Sequence, residues 1–338
     1  VSEKLGVCIV GCGYMGNIHA QGWQAVSEAQ VVAVVDILSE RAERLSRLLG
    51  CPAYQDYTEA LTRPDVNVVS VCVPTCLHPA VTVSAARRGL HVLCEKPVAL
   101  TLADADAMIA AARENNVKLG LGFMRRHTPV LESLKTHLAA GDFGRPAMYH
   151  AGDVREIRPK REMHDPNANG GPLIDMAVHL IDTWNTAFAS TPVAVSAQGM
   201  RLAAGRPEIS HIPEAAIDTA TLLVRYASGD LGTFVVSWGL PPKVNPPDQP
   251  DQIYAPRGQA VLQFGQNRQE LIWMREGGSR ETISISHQNM YQQEIARFTR
   301  WVLADEPFPA TGEDGKRALR VALAALESIQ TGTTISLE

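Results

Sequence analysis

The sequence predicts an α/β N-terminal Rossmann domain, a doubly wound parallel sheet, followed by an α+β domain on a large open, mostly antiparallel sheet. Three observations carry this. Short apolar runs alternate with helix-like segments up to about residue 124, a glycine-rich turn follows the first run, and beyond Phe123 the rhythm changes to long β-type runs. The chain has 338 residues, 45% of them hydrophobic, enough apolar content for two cores. The expected division is residues 1–124 and 125–338.

The elements of the first half follow in order. Val7–Val10 is a continuous apolar run, as expected of a strand buried on both faces. Gly16–Val26 reads as a helix and Val31–Val35 as the second strand. Leu45, Leu48 and Leu49 share one face of a helix over Ser39–Leu49, which stops at Gly50. Val66–Val73 and His91–Cys94 are strands with a helix, Pro79–Arg88, between them. An Ala-rich helix over Thr101–Asn116 and a strand over Val117–Leu121 close the series.

In the second half Thr128–Ala140 reads as a helix. Ala147–Val154, Val193–Leu202, Ala216–Tyr226, Leu231–Trp238, Gln259–Phe264, Glu270–Met274 and Thr282–Ile285 read as strands. Ser228-Gly229-Asp230 is a hairpin turn between two of them. The proline-rich segment Leu240–Pro256 is expected to be an exposed excursion, not a central strand, because proline offers no N–H to a ladder. Helices over Asn289–Leu303 and Gly315–Ile329 end the chain.

Charge and cysteine usage exclude several classes. With 31 basic against 36 acidic residues the formal charge is −5, without the clustered basic excess that a nucleic acid or an anionic membrane favours. No stretch approaches the roughly 20 apolar residues of a membrane-spanning helix. A strand-like run begins at Leu5 with no basic-then-apolar leader. Cys8, Cys12, Cys51, Cys72, Cys76 and Cys94 lack zinc-ligand spacing, so they read as reduced core thiols and no metal site is expected. That usage suits a cytoplasmic protein.

Gly11-Cys12-Gly13-Tyr14-Met15-Gly16 fits G-x-G-x-x-G between a buried strand and a helix. Gly11 allows the tight turn, Gly13 lets backbone approach a pyrophosphate, and Gly16 lets helix and strand pack closely. The helix N-terminus then offers N–H groups and the positive end of its dipole to phosphate. Asp36, 20 residues beyond Gly16, stands where a carboxylate accepts from an adenosine ribose and repels a 2′-phosphate. It favours NAD over NADP, although Arg41 nearby leaves the second choice open.

Two further stretches carry reactive groups. Glu95-Lys96-Pro97 follows the run His91–Cys94 directly and so lies at a strand's carboxyl end, where α/β sheets bind ligands. A lysine there stabilises negative charge developing on a substrate oxygen; a surface pair with Glu95 is the plain alternative. Asp175 and His179 are four apart, with Asp182 three further on, so a helix starting after Gly171-Pro172 stacks them on one face. A carboxylate beside an imidazole orients it, fixes its tautomer and makes a general acid/base; the alternative is a core histidine with one partner. The loop Arg155–Asn169, with Arg158, Lys160, Arg161, His164, Asp165 and Asn167, is polar enough to read a polyhydroxylated ring or simply to face solvent.

These residues resemble the glucose–fructose oxidoreductase / inositol dehydrogenase (Gfo/Idh/MocA) family over nearly the whole chain. The resemblance runs from Gly11–Gly16 through Val73-Pro74-Thr75-Cys76-Leu77-His78 and Glu95-Lys96-Pro97 to Asp175–His179 and Thr311-Gly312-Glu313-Asp314-Gly315. Gly122-Phe123-Met124-Arg125-Arg126-His127 is similar to the inositol dehydrogenase branch. The family implies a catalytic group at Lys96, Asp175 and His179, with Arg126 as a substrate contact and Lys96-Pro97 often a cis peptide; His164, from the polar loop, is a further expected substrate contact. It implies cofactor contacts at Gly11, Gly13, Tyr14, Met15, Gly16, Asp36, Pro74, Thr75, His78, Glu95 and Lys96. It further implies an NAD-dependent oxidoreductase acting on a secondary alcohol of a sugar or cyclitol, and a homodimer or homotetramer formed through the C-terminal sheet. Pro172 and Ala177 depart from the family pattern beside the catalytic pair. Two other classes stay open: a dinucleotide-binding regulator without turnover, and an NAD-dependent glycosidase in which oxidation is transient.

Overall fold

The computed structural model describes residues 4–158, 160–244, 246–247, 249–265, 269–285 and 289–337. They form two compact units, Val1–His127 with Gln288–Lys316, and Thr128–His287 with Arg317–Glu338.

The first unit begins β1 (Leu5–Val10), α1 (Tyr14–Gln24), β2 (Ala29–Val35), α2 (Ser39–Leu49), β3 (Ala53–Tyr54) and α3 (Tyr57–Ala60). It continues β4 (Val68–Val71), α4 (His78–Ala86), β5 (His91–Cys94), α5 (Leu102–Glu114) and β6 (Leu119–Leu121). All six strands are parallel, in the order β3-β2-β1-β4-β5-β6. The chain winds outward from β1 and then returns to place β4 on the other side of it. The β1/β4 boundary is therefore a topological switch point, and a crevice opens beyond the carboxyl ends of those strands. Every residue of β1 is buried, as its unbroken apolar run requires. Gly50 ends α2 in the left-handed region at φ 68°, donating to the Ser46 carbonyl. Thr101 caps α5 by accepting from the Asp104 amide.

The second unit holds α6 (Pro129–Ala139), β7 (Met148–Glu156), α7 (Pro172–Asp175), α8 (Ala177–Phe188), β8 (Pro192–Met200) and β9 (Thr219–Tyr226). Then come β10 (Leu231–Leu240), β11 (Asp251–Ala255), β12 (Gly258–Phe264), β13 (Gln269–Arg275) and β14 (Arg280–Ile285). The chain ends with α9 (Met290–Ala304), α10 (Gly312–Thr331) and β15 (Ile335–Ser336). The nine strands lie in the order β14-β13-β12-β11-β7-β10-β9-β8-β15, antiparallel except for the β7/β10 pair. Inward residues such as Tyr149, Phe234 and Trp273 are buried; Trp184 of α8 lies against Gly232, and Phe143 stacks on Trp273 with centroids 4.3 Å apart. A shallow depression of about 280 Å³ on the sheet is lined by residues that include Ser196, Gln198, Thr221, Leu223, Thr233 and Val235.

Several expectations change. Leu240–Pro256 contains β11, which sits centrally between β7 and β12. Pro250 and Pro256 bracket this strand without entering it, so its N–H groups stay available; Gln252, Ile253 and Tyr254 pair with His150, Tyr149 and Met148. Cys76, expected in a core, is exposed because it falls in the turn after β4; the other five cysteines are buried or half-buried, and all six are free thiols. The expected helix from Gly171 onward is two helices, broken at Met176. Nor does one cut near residue 124 describe the compact units, because α9 belongs with α1. Ile295 and Phe298 are fully buried there, Phe298 meeting Trp23 edge-on with centroids 6.4 Å apart. Gly22 makes room: a Cβ on it would come within 2.3 Å of Ile295. Among the described residues no helix is long and apolar enough to cross a membrane.

Gly232 is a direct test of the second core. A Cβ there would come within 2.3 Å of the Trp184 ring. Gly232→Ala is expected to cost about 1–3 kcal/mol, seen as a lower urea midpoint at constant slope. An unchanged midpoint would show that this contact does not constrain the sheet.

Candidate active site

The three glycines of the turn differ in their surroundings. Gly11 has φ +98°, and a Cβ there would come within 2.5 Å of the Cys72 carbonyl oxygen. A Cβ on Gly16 would sit 1.9 Å from the Gly11 carbonyl oxygen, so only glycine allows this approach of helix to turn. Gly13 is different: nothing lies within 4 Å of its added Cβ, which leaves the backbone open to a ligand. No side chain caps α1, whose N-terminus keeps its donors and dipole for an anion. Tyr14 is exposed beside it and Met15 half-buried. These features fit a dinucleotide's pyrophosphate.

Two side chains hold the turn in place. Asp36 is buried, and its Oδ2 accepts from the Cys12 amide at 2.9 Å while Oδ1 accepts from the Leu38 amide at 2.9 Å. The carboxylate expected at the ribose is thus also the brace between the glycine turn and the end of β2. Asn17, which the motif does not include, donates from Nδ2 to the Cys12 and Gly13 carbonyls at 3.1 and 2.6 Å. Its position one residue after the last motif glycine was the only signal.

Along the same rim, Glu95-Lys96-Pro97 follows β5, and the Lys96–Pro97 peptide is cis. Glu95 is buried rather than at the surface. Its Oε1 lies 2.8 Å from His19 Nε2, and its Oε2 accepts from the Lys96 amide at 3.2 Å. Burial acts to raise the Glu95 carboxyl, but the His19 hydrogen bond and the charges of His19, Lys96 and His78 outweigh it and hold it below the usual range. Glu95 is therefore an anion, and His19 donates to it. His78, expected at the cofactor, is buried with its ring nitrogens 2.8 Å from the Pro97 carbonyl and 3.0 Å from the Val73 carbonyl. It ties the Pro74-Thr75 loop to the Lys96-Pro97 loop; burial pulls it below the ordinary imidazole range despite the two carbonyls. Pro74 is half-buried and Thr75 buried in that loop.

In the second unit, Gly170 and Gly171 adopt φ +82° and +74°, and Pro172 opens α7. Asp175 ends α7 and His179 lies in the first turn of α8; both are buried and both have partners. Asp182, three residues after His179 on α8, is buried too and has a partner. Burial first, then the charges of Asp182 and Asp230, push the Tyr226 hydroxyl up, and that hydroxyl donates to Asn185 at 2.8 Å. His164 is buried, with Nε2 3.1 Å from the Arg158 carbonyl and its ring edge-on to Trp238; burial lowers its pKa.

Arg126, expected at the substrate, is buried and donates from Nη2 to Asp314 at 3.1 Å and from Nη1 to the Pro309 carbonyl. Next to it His127 and Glu294 form a fully buried pair, Nε2 to Oε1 3.8 Å, in which none of the four polar atoms is hydrogen-bonded. Burial pulls His127 down to about 3, aided by Arg297 and Arg126; burial and the Glu95 charge push Glu294 well above the carboxylate range. Burial thus favours the neutral form of both.

The sign of the pH effect follows. The Glu294 carboxyl ionises more readily unfolded than folded, so the stability it contributes falls as pH rises above the ordinary carboxylate range towards its raised pKa. Glu294→Gln removes that slope. Thermal unfolding should show the variant gaining on the parent as pH rises from the ordinary carboxylate range; parallel curves would mean that Glu294 ionises without cost.

Comparison with known proteins agrees with this architecture. The Gfo/Idh/MocA model, an oxidoreductase family with an NAD-binding Rossmann fold, matches residues 5–123, and the family's C-terminal domain model matches residues 131–260. Myo-inositol 2-dehydrogenase of Thermotoga maritima is 29% identical over 338 residues, covering 98% of both chains. The NAD(+) scyllo-inositol 2-dehydrogenase of Bacillus subtilis is 26% identical, covering 100% of this chain and 98% of its own. Aldose-aldose oxidoreductase from Caulobacter crescentus, solved with glycerol, shares the fold at a TM-score of 0.87 and 24% identity over 99% of this chain and 100% of its own. The chain is an oxidoreductase belonging to the Gfo/Idh/MocA family.

Proposed function

We propose that this oxidoreductase uses NAD to oxidise a secondary alcohol of a sugar, sugar derivative or cyclitol, or to reduce the matching ketone, by hydride transfer. The observation that carries the reading is Lys96 at the carboxyl end of β5, its main chain held by a buried carboxylate, on the rim that also bears the open Gly13 turn. Relatives that share this chain's full length are named as inositol 2-dehydrogenases, which favours a cyclitol. The Asp36 carboxylate, braced beside the turn, favours NAD because its charge opposes a 2′-phosphate.

When bound, NAD supplies the hydride acceptor. Lys96 donates to the reacting oxygen and stabilises the charge that develops on it. His179 takes the hydroxyl proton, and Asp175 orients the imidazole and stabilises its protonated form. Pro74 and Thr75 border the cofactor, while His78 and Glu95 shape the loops that present it. Arg126 and His164, engaged with Asp314 and the Arg158 carbonyl, act from the substrate side without exchanging a proton. A homodimer or homotetramer formed through the nine-stranded sheet completes the reading, as the family resemblance implies.

Lys96→Ala and His179→Ala are each expected to lower turnover by about 10²–10⁴-fold with NAD affinity nearly intact. NADH absorbance with a panel of inositols and sugars reads the first, and fluorescence titration the second. Normal turnover in both variants would refute the roles. No NADH from any polyol would favour a regulator, and cleavage of a glycoside without NADH accumulation would favour transient oxidation.

A further inference from the structure

Four buried groups connect α1 to the main chain of Lys96. Trp23 of α1 donates from Nε1 to Ser70 Oγ of β4 at 3.2 Å. That oxygen lies 2.6 Å from His19 Nδ1, and His19 Nε2 donates to Glu95 Oε1 at 2.8 Å. Glu95 Oε2 then accepts from the Lys96 amide at 3.2 Å. Trp23, His19 and Ser70 are 0% exposed and Glu95 is 5% exposed. Gly122 closes the remaining side: a Cβ there would press within 3.1 Å of the Glu95 carboxyl carbon and both oxygens.

A buried carboxylate is a poor way to gain stability, because desolvation offsets most of what its hydrogen bonds contribute and apolar groups of equal volume pack as well. Its specific property is direction. Each oxygen of Glu95 has one fixed donor, so the carboxylate cannot rotate without losing one of them. The donor on one side is a ring on the phosphate-side helix; on the other it is the peptide N–H of the lysine itself. Resting on the dehydrogenase reading above, we infer that His19 and Glu95 are positioning residues: the pair transmits the placement of α1 to the backbone of Lys96 and so sets where its ammonium meets substrate. An error of about 1 Å in such placement costs on the order of 10²-fold in rate.

The test compares His19→Leu with His19→Gln in the full chain. The Gln amide can donate to Glu95 as the imidazole does; Leu fills the space and donates nothing. Lysines are reductively methylated with ¹³C, and the Lys96 resonance is assigned by its loss in Lys96→Arg. In His19→Leu that resonance should shift, turnover should fall by about 10–100-fold with an enlarged primary deuterium isotope effect on kcat, and NADH affinity should hold. His19→Gln should recover the parental resonance and most of the turnover. An unmoved Lys96 resonance in His19→Leu overturns the inference, as does a Gln variant no better than Leu. If His19→Leu does not fold, Glu95→Gln takes its place, since its amide leaves one N–H facing another; an unmoved resonance there overturns the inference equally. Should the parent oxidise no polyol, the dehydrogenase reading fails while the resonance still decides whether the pair positions Lys96.

Discussion

The rim of the first unit depends on one buried anion. Glu95 stays ionised in an apolar surround because His19 and the Lys96 amide each hold one oxygen, and the loops leaving β4 and β5 are arranged around that arrangement. His78 bridges the same loops through two carbonyls, and Gly122 is the residue that leaves room for the carboxylate. A neutral group in its place would turn one of its two atoms into a donor facing a donor, at about 1–3 kcal/mol. The ligand-facing edge of the sheet is thus built from satisfied polar groups as much as from packing.

The same economy appears at the turn after β1. Asp36 does two jobs, accepting from the Cys12 and Leu38 amides while standing at the end of β2, where a ribose hydroxyl would reach it. Asn17 satisfies the Cys12 and Gly13 carbonyls from inside α1. With those carbonyls occupied, what the turn presents outward is N–H groups and the open face of Gly13, an electropositive cradle suited to phosphate. Behind the rim, the His127–Glu294 pair shows the opposite solution: two titratable groups buried without a hydrogen bond among the described residues, each pushed by burial towards its neutral form.

Much of this was legible in the residues and some was not. The alternating apolar runs marked the parallel strands, and Ser39–Leu49 and His91–Cys94 needed no adjustment. The glycine roles followed from spacing because each is a local steric requirement. β11 was hidden because prolines crowd around it, and composition does not say whether a proline brackets a strand or interrupts it. The break at Met176 was hidden because helical spacing continues across it. The membership of α9 in the first unit and the pairing of His19 with Glu95, 76 residues away, are long-range facts that no local pattern encodes. Arg126 was expected as a substrate contact from the family resemblance alone, and its ion pair with Asp314 depends on a segment 188 residues on.

We propose that Lys96 and the His179–Asp175 couple act on one substrate hydroxyl. A crystal structure of the dead-end complex with NADH and myo-inositol measures this directly. The account predicts Lys96 Nζ and a His179 ring nitrogen both at about 3 Å from the same hydroxyl oxygen, with Asp175 on the other ring nitrogen. A bound cyclitol whose reacting oxygen is met by neither side chain, or by only one of them, would contradict it.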